Sequence, residues 1–138
     1  MKDVGTFPNI SSLQFTNNKL YLASRTKSRV AIVDYNTLGL ISEFTTVNKP
    51  VKMKTYKNYL YILGAQNNEI EVYDTNADKS NGKISLNTDG FSTGFNEIEG
   101  TNLAVISDVK TNKYSIIDLS SILDTHLFDF HHQNQHQQ

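Results

Sequence analysis

The chain has 138 residues, 38% of them hydrophobic, with a mean hydropathy of -0.43, which supplies one ordinary domain core and no apolar surplus. Thirteen Lys plus Arg stand against 14 Asp plus Glu without a basic block, so the net field calls for neither nucleic acid nor an anionic membrane. No run reaches the ~18 apolar residues of a bilayer span, the start lacks a secretory stretch, and zero Cys excludes disulfides, thiolate metal sites and a Cys nucleophile, so a soluble protein of open compartment is expected.

Taken in chain order, residues 1–7 stand before Pro8 as residues 43–49 stand before Pro50, and read either as an outer strand shared with another unit or as a frayed terminus. Residues 8–49 form a first unit. Its β-branched and aromatic residues alternate with polar ones at period 2, predicting strands near 10–15, 20–23, 29–34 and 40–46. Residues 50–90 form a second unit with strands near 51–56, 59–63, 69–74 and 83–87. Residues 91–123 form a third, with strands near 94–98, 102–107 and 113–118 and no clear fourth. Asn-rich connectors after Thr16, Tyr56 and Ala65 suit hairpin turns, because Asn tolerates positive φ. A single helix-like piece follows, where Ser121 and Asp124 make a loose capping pattern, and residues 124–138 end in a polar, low-complexity tail.

The units repeat one another. Leu20-Tyr21-Leu22 matches Leu60-Tyr61-Ile62 and then Leu103-Ala104-Val105. Val30-Ala31-Ile32-Val33-Asp34 matches the runs ending in Asp74 and Asp118, which sit 40 and 44 residues further on. Four antiparallel strands recurring at this period are the sequence form of a β-propeller blade, whereas a helical solenoid needs i, i+3, i+4 stripes that the chain lacks. The reading is an all-β, propeller-type repeat of about three four-stranded blades, a partial propeller whose third blade lacks a clear fourth strand.

These residues resemble a family. A Pro, about ten residues, Leu-Tyr-Leu, a polar loop and Val-Ala-Ile-Val-Asp look like the YVTN-type β-propeller repeat, with some likeness to repeats that read LVIVD. The Tyr-Val-Thr-Asn core is present only as Tyr21-Leu22-Ala23-Ser24 and Tyr61-Ile62-Leu63-Gly64, and no Trp-Asp pair points to the WD version. Propellers have about 4 to 8 blades, so three need completing. Three readings stand: a piece of a longer propeller, two copies giving six blades, or a different subunit supplying the rest.

Candidate chemistry is sparse. Asp74, Asn76, Asp78 and Ser80 alternate as oxygen ligands for Ca²⁺ can, but an EF-hand needs Gly at Lys79 and Glu at Ser85, which favours a polar connection with Asn81-Gly82 as its turn. His131, His132 and His136 are able to gather a transition metal, against which stands a solvated tail. Asp34, Asp74 and Asp118 invite a catalytic reading, yet one repeat position explains all three as turn caps. Every His lies at or beyond His126, outside the repeats, so a His-based centre within them has no proton carrier. Tyr21, Tyr56, Tyr59, Tyr61, Tyr73 and Phe44 are expected as packing between blades rather than as a binding surface. The sequon Asn9-Ile10-Ser11 matters only in a secreted eukaryotic protein. No catalytic, cofactor or metal residue is assigned, and no cofactor. The functional expectation is a non-catalytic binding or scaffold element. Its rival is a portion of a lactonase-like hydrolase, with Asp89, Asn96 and Glu97 nearest to channel loops.

Overall fold

The computed structural model describes residues 3, 5–65, 69–86 and 92–120, with 92 and 93 described as backbone only. The first sheet holds β1 (Ile10–Thr16), β2 (Lys19–Ser24), β3 (Arg29–Asp34) and β4 (Leu40–Thr45). The second holds β5 (Pro50–Tyr56), β6 (Tyr59–Gly64), β7 (Glu69–Asp74) and β8 (Lys79–Ser85). The third, among the described residues, holds β9 (Ser92–Glu97), β10 (Leu103–Asp108) and β11 (Lys113–Asp118). Each sheet is a simple meander of antiparallel neighbours. The first strands, β1, β5 and β9, run beside one another at the inner end of the stack.

Turn chemistry fixes these meanders. Asn17 and Asn18 take φ of 54° and 59° between the paired Thr16 and Lys19, the left-handed pair that a two-residue hairpin requires. In the β5–β6 turn it is Lys57, at φ 56°, that is left-handed. Asn58 works there through its side chain, donating Nδ2 to Asp74 Oδ1 at 3.2 Å. Asp34 Oδ1 accepts the amides of Asn36 and Thr37 at 2.7 and 3.0 Å, Asp74 Oδ1 those of Asn76 and Ala77 at 2.9 and 3.1 Å, and Asp118 Oδ1 that of Ser120 at 3.0 Å. Asp34 and Asp74 are thus turn caps, and Asp118 accepts a backbone amide of the helical residues 119–120. Asp34→Ala removes the acceptor for two amides and should cost about 1–3 kcal/mol, while Asp34→Asn keeps an acceptor oxygen and most of the stability. Urea midpoints of the two variants test this, and equal loss in both would refute it.

Two sequence expectations are corrected. Asn81-Gly82 does not turn the chain. The turn lies at residues 75–78, with Asp78 at φ 52°, and β8 begins at Lys79, because a register shift between Glu71 and Tyr73 accommodates the extra residue around Gly82 at φ 110°. The third unit also pairs one residue out of the expected frame. Tyr59 lies opposite Asp74, and it is Leu103 that lies opposite Asp118, so Ala104 takes the place of Leu60 and Ile106 that of Ile62. A one-residue slip exchanges the two faces of a strand, and only this frame turns Ala104 and Ile106 inward.

Each sheet has a front, turned toward the next sheet, and a back. Tyr21, Ala23, Val30 and Ile32 on the front of sheet 1 pack with Met53, Leu60, Ile62 and Tyr73 on the back of sheet 2. Tyr61, Leu63, Ile70, Val72 and Ile84 on the front of sheet 2 pack with Phe95, Ala104, Ile106 and Ile117 of sheet 3. The middle sheet is therefore apolar on both faces, and β6 is buried along nearly its whole length.

Candidate interaction surfaces

The seam between sheets 1 and 2 shows how this fold makes a contact. At the inner end, Ser11 Oγ donates to Pro50 O at 2.7 Å, Gln14 Nε2 donates to Met53 O at 2.9 Å, and Ser12 Oγ accepts the Met53 amide at 3.1 Å. Polar side chains of β1 thereby satisfy the edge backbone of β5. At one end of the sheets Asn17 Nδ2 donates to Thr75 O at 3.1 Å and to Asn76 Oδ1 at 3.0 Å, while Lys19 and Asp78 pair at 2.6 Å. The linker between the sheets is wedged in as well. Val47 is buried in the seam core, and Thr46 Oγ1 donates to the buried Glu71 Oε1 at 2.6 Å. Such ties join two units of the repeat, so a reading confined to one unit at a time misses them. Their one visible trace is the small or amide residue at Ser11, Ser12 and Gln14.

Tyrosines anchor both seams. Tyr61 Oη donates to Leu119 O at 2.8 Å, and Tyr21 Oη reaches Asp78 Oδ1 at 3.4 Å. Burial first, and then the Asp78 carboxylate, raises the Tyr21 phenol well above its ordinary value of 10 and pushes Tyr73 up to about 12. Both are higher folded than unfolded, so the stabilisation by neutral phenol is whole below pH 10 and is lost as pH rises from there through the folded-state values. Alkaline titration followed by phenolate absorbance should show Tyr21 and Tyr73 ionising together with loss of the β signal. Titration of every tyrosine near its ordinary value, with the sheets intact, would contradict this.

The residues weighed as oxygen ligands for Ca²⁺ are engaged elsewhere. Asp74 Oδ1 caps its turn, Asn76 Oδ1 accepts from Asn17, and the Asp78 carboxylate faces the Lys19 ammonium. Asn96 and Glu97 are exposed on β9 opposite Val105 and Ala104, a strand rather than a loop. Asp89, Ser121, His131, His132 and His136 lie outside the described residues. Among the described residues no group of three or more His, Cys, Asp or Glu is placed to hold a metal, and no helix is long and apolar enough to cross a membrane. Tyr21, Tyr61 and Tyr73 are buried, and Tyr56, Tyr59 and Phe44 pack at the margins, as expected of residues between sheets. Asp108 caps the β10–β11 turn through Oδ1, and its buried Oδ2 has no hydrogen-bond partner among the described residues. It stands where Ser24 stands in sheet 1, at the same position opposite the start of the third strand.

What the seams leave open are two flanks. On the back of sheet 1, Leu13 and Phe15 are 59% and 51% exposed beside Leu20, Leu22 and Val33. On the front of sheet 3, Tyr114 and Ile116 are 72% and 40% exposed beside Leu103 and Val105. Residues 5–7 lean over the outer part of the first flank, enclosing a groove of about 200 Å³ with Leu22, Ala31, Val33 and Leu40.

No protein-family model matches the sequence, and no curated protein matches it either. Solved structures do. The β-propeller domain of Myceliophteria thermophila Cps50 (Swd1) aligns with a TM-score of 0.65 at 12% identity, over 83% of this chain and 37% of that one. The fold is a partial β-propeller. Kuenenia stuttgartiensis hydrazine synthase matches this propeller at a TM-score of 0.70 and 15% identity, over 83% of this chain and 34% of the other. The computationally designed Ika4 protein matches at 0.66 and 14%, over 83% and 69%. At such identities the likeness is one of fold. The propeller chain spans about a third of the hydrazine synthase and Cps50 chains.

Proposed function

We propose that this chain is a non-catalytic protein-binding or scaffold element of a β-propeller, with blades over 8–49, 50–90 and 91–123, built from repeats of the YVTN type and completed by further blades. The observation that carries the reading is the contrast between equivalent positions. Leu13 and Met53 stand at one place in the repeat, yet Leu13 is 59% exposed and Met53 fully buried. Tyr114 and Ile70 stand at another, 72% exposed and fully buried. Apolar surface kept at positions that the fold does not cover is contact surface.

Polar substitution tests this. Leu13→Gln and Ile116→Gln, measured at a dilution where the chain is monomeric, should leave the urea midpoint nearly unchanged. Met53→Gln, at the covered position equivalent to Leu13, should lower stability by about 2–4 kcal/mol. If the flank substitutions cost the monomer as much as Met53→Gln, the flanks serve internal stability and the reading fails.

A further inference from the structure

The occupant of the two flanks is legible in the molecule, because each flank has a covered twin. The back of sheet 1, with Leu13, Leu20, Leu22 and Val33, repeats the back of sheet 2, where Met53, Leu60, Ile62 and Tyr73 are buried against the front of sheet 1. The front of sheet 3, with Val105, Tyr114 and Ile116, repeats the front of sheet 2, where Tyr61, Ile70 and Val72 are buried against the back of sheet 3. The surfaces left open are thus one front and one back, the two kinds that meet at both internal seams.

The segment before β1 carries the same imprint. Asn9 O accepts the Arg25 amide at 3.0 Å, as Lys49 O accepts the Ala65 amide at 3.1 Å, and Asn9 and Lys49 share left-handed φ of 49° and 53°. Phe7 stands where Val47 stands in the linker, and it lines one groove with Ala31, the counterpart of the Glu71 that accepts from Thr46 in the first seam. Residues 7–9 thus take the place that the wedge at 47–49 takes, beside the open back of sheet 1.

We propose that a second copy of this chain seats the front of its sheet 3 on the back of sheet 1, and that the reciprocal contact closes a two-copy ring. The contact is heterologous, front to back, and it closes because the described residues of two copies supply six sheets, within the range of about 4 to 8 blades in a ring. The proposal rests on the reading of the flanks as contact surfaces and adds the identity of the partner.

The test is the mass in solution of the full chain and two flank variants, Leu13→Glu on the back and Ile116→Glu on the front, with circular dichroism confirming that both variants fold. The wild type should have twice the 15.6 kDa chain mass. Each variant alone should be monomeric, since either substitution spoils both contacts of the ring. An equimolar mixture should regain a dimer, because the front of the Leu13→Glu chain and the back of the Ile116→Glu chain are both intact. A monomeric wild type at tens of micromolar, a dimer retained by either variant alone, or no recovery on mixing would overturn the proposal. A monomeric wild type whose flank glutamines are harmless leaves the contact-surface reading standing with a different partner, whereas flank glutamines that unfold the monomer remove that reading too.

Discussion

Tyr61→Ala is expected to lower the unfolding free energy by about 3–5 kcal/mol, a large share of the ~5–15 kcal/mol that holds a domain together. Tyr61 is fully buried on the front of the middle sheet, between Leu63, Ile70 and Val72 of its own sheet and Phe95, Ala104 and Ile106 of the next. Alanine opens a cavity at the centre of that seam, since paired strands on either side hold the sheets apart and limit collapse. It also strips the Leu119 carbonyl of the phenol that donates to it at 2.8 Å. Tyr61→Phe keeps the ring and loses only the hydroxyl, so it should cost about 1–3 kcal/mol, the penalty of leaving a buried acceptor unmade. Urea unfolding followed by far-ultraviolet dichroism separates the two. If sheet 3 comes away before the rest, the alanine variant should also show a reduced m-value, because less surface remains to be exposed in the main transition. A loss below about 1 kcal/mol in Tyr61→Ala would show that the seam does not depend on this ring.

The fold was legible because a strand buried on one face has to alternate. Leu13 and Phe15, and Tyr114 and Ile116, do so in sequence, the run from Val30 to Val33 is apolar throughout, and strands fall at all three places. The aspartates were legible for a similar reason, since Asp34, Asp74 and Asp118 recur at the end of one strand, where a carboxylate accepts the amides that follow. Register in the third unit was not. Leu103-Ala104-Val105 offers apolar side chains to either face, so composition does not choose between frames, and pairing of Leu103 with Asp118 does. Asn81-Gly82 misled because the same dipeptide serves a hairpin turn and a bulge equally well, and the capped turn at Asp74 had already reversed the chain. The interaction surfaces were half legible. That three units leave two open sides follows from counting, but which residues stand on them depends on strand parity, visible only once Tyr21 and Tyr61 are seen on the front and Leu22 and Ile62 on the back. The ties from Ser11, Ser12 and Gln14 to β5 were beyond reach, since they depend on a neighbour 39 to 41 residues away.

The other seam has its own keystone, and Tyr73→Ala is expected to cost about 3–5 kcal/mol for a different reason. The Tyr73 ring stacks on Phe44 at 4.1 Å between centroids with 3° between planes, and meets Tyr21 edge-on at 6.1 Å and 64°. Phe44 and Tyr21 belong to sheet 1, so these ring contacts cross the seam. Such pairs contribute about 0.5–1.5 kcal/mol each beyond area burial. Removing Tyr73 deletes both pairs and leaves Tyr21 facing a void. Tyr21→Leu and Tyr73→Leu share that void, so the double variant should lose clearly less than the sum of the single ones. Tyr73→Leu and Phe95→Leu lie in separate clusters on opposite sides of the middle sheet, and their losses should add to within about 0.5 kcal/mol. Full additivity of the tyrosine pair would mean that the rings do not act together. Strong coupling between Tyr73 and Phe95 would mean that the middle sheet transmits strain from one seam to the other, instead of holding two independent contacts apart.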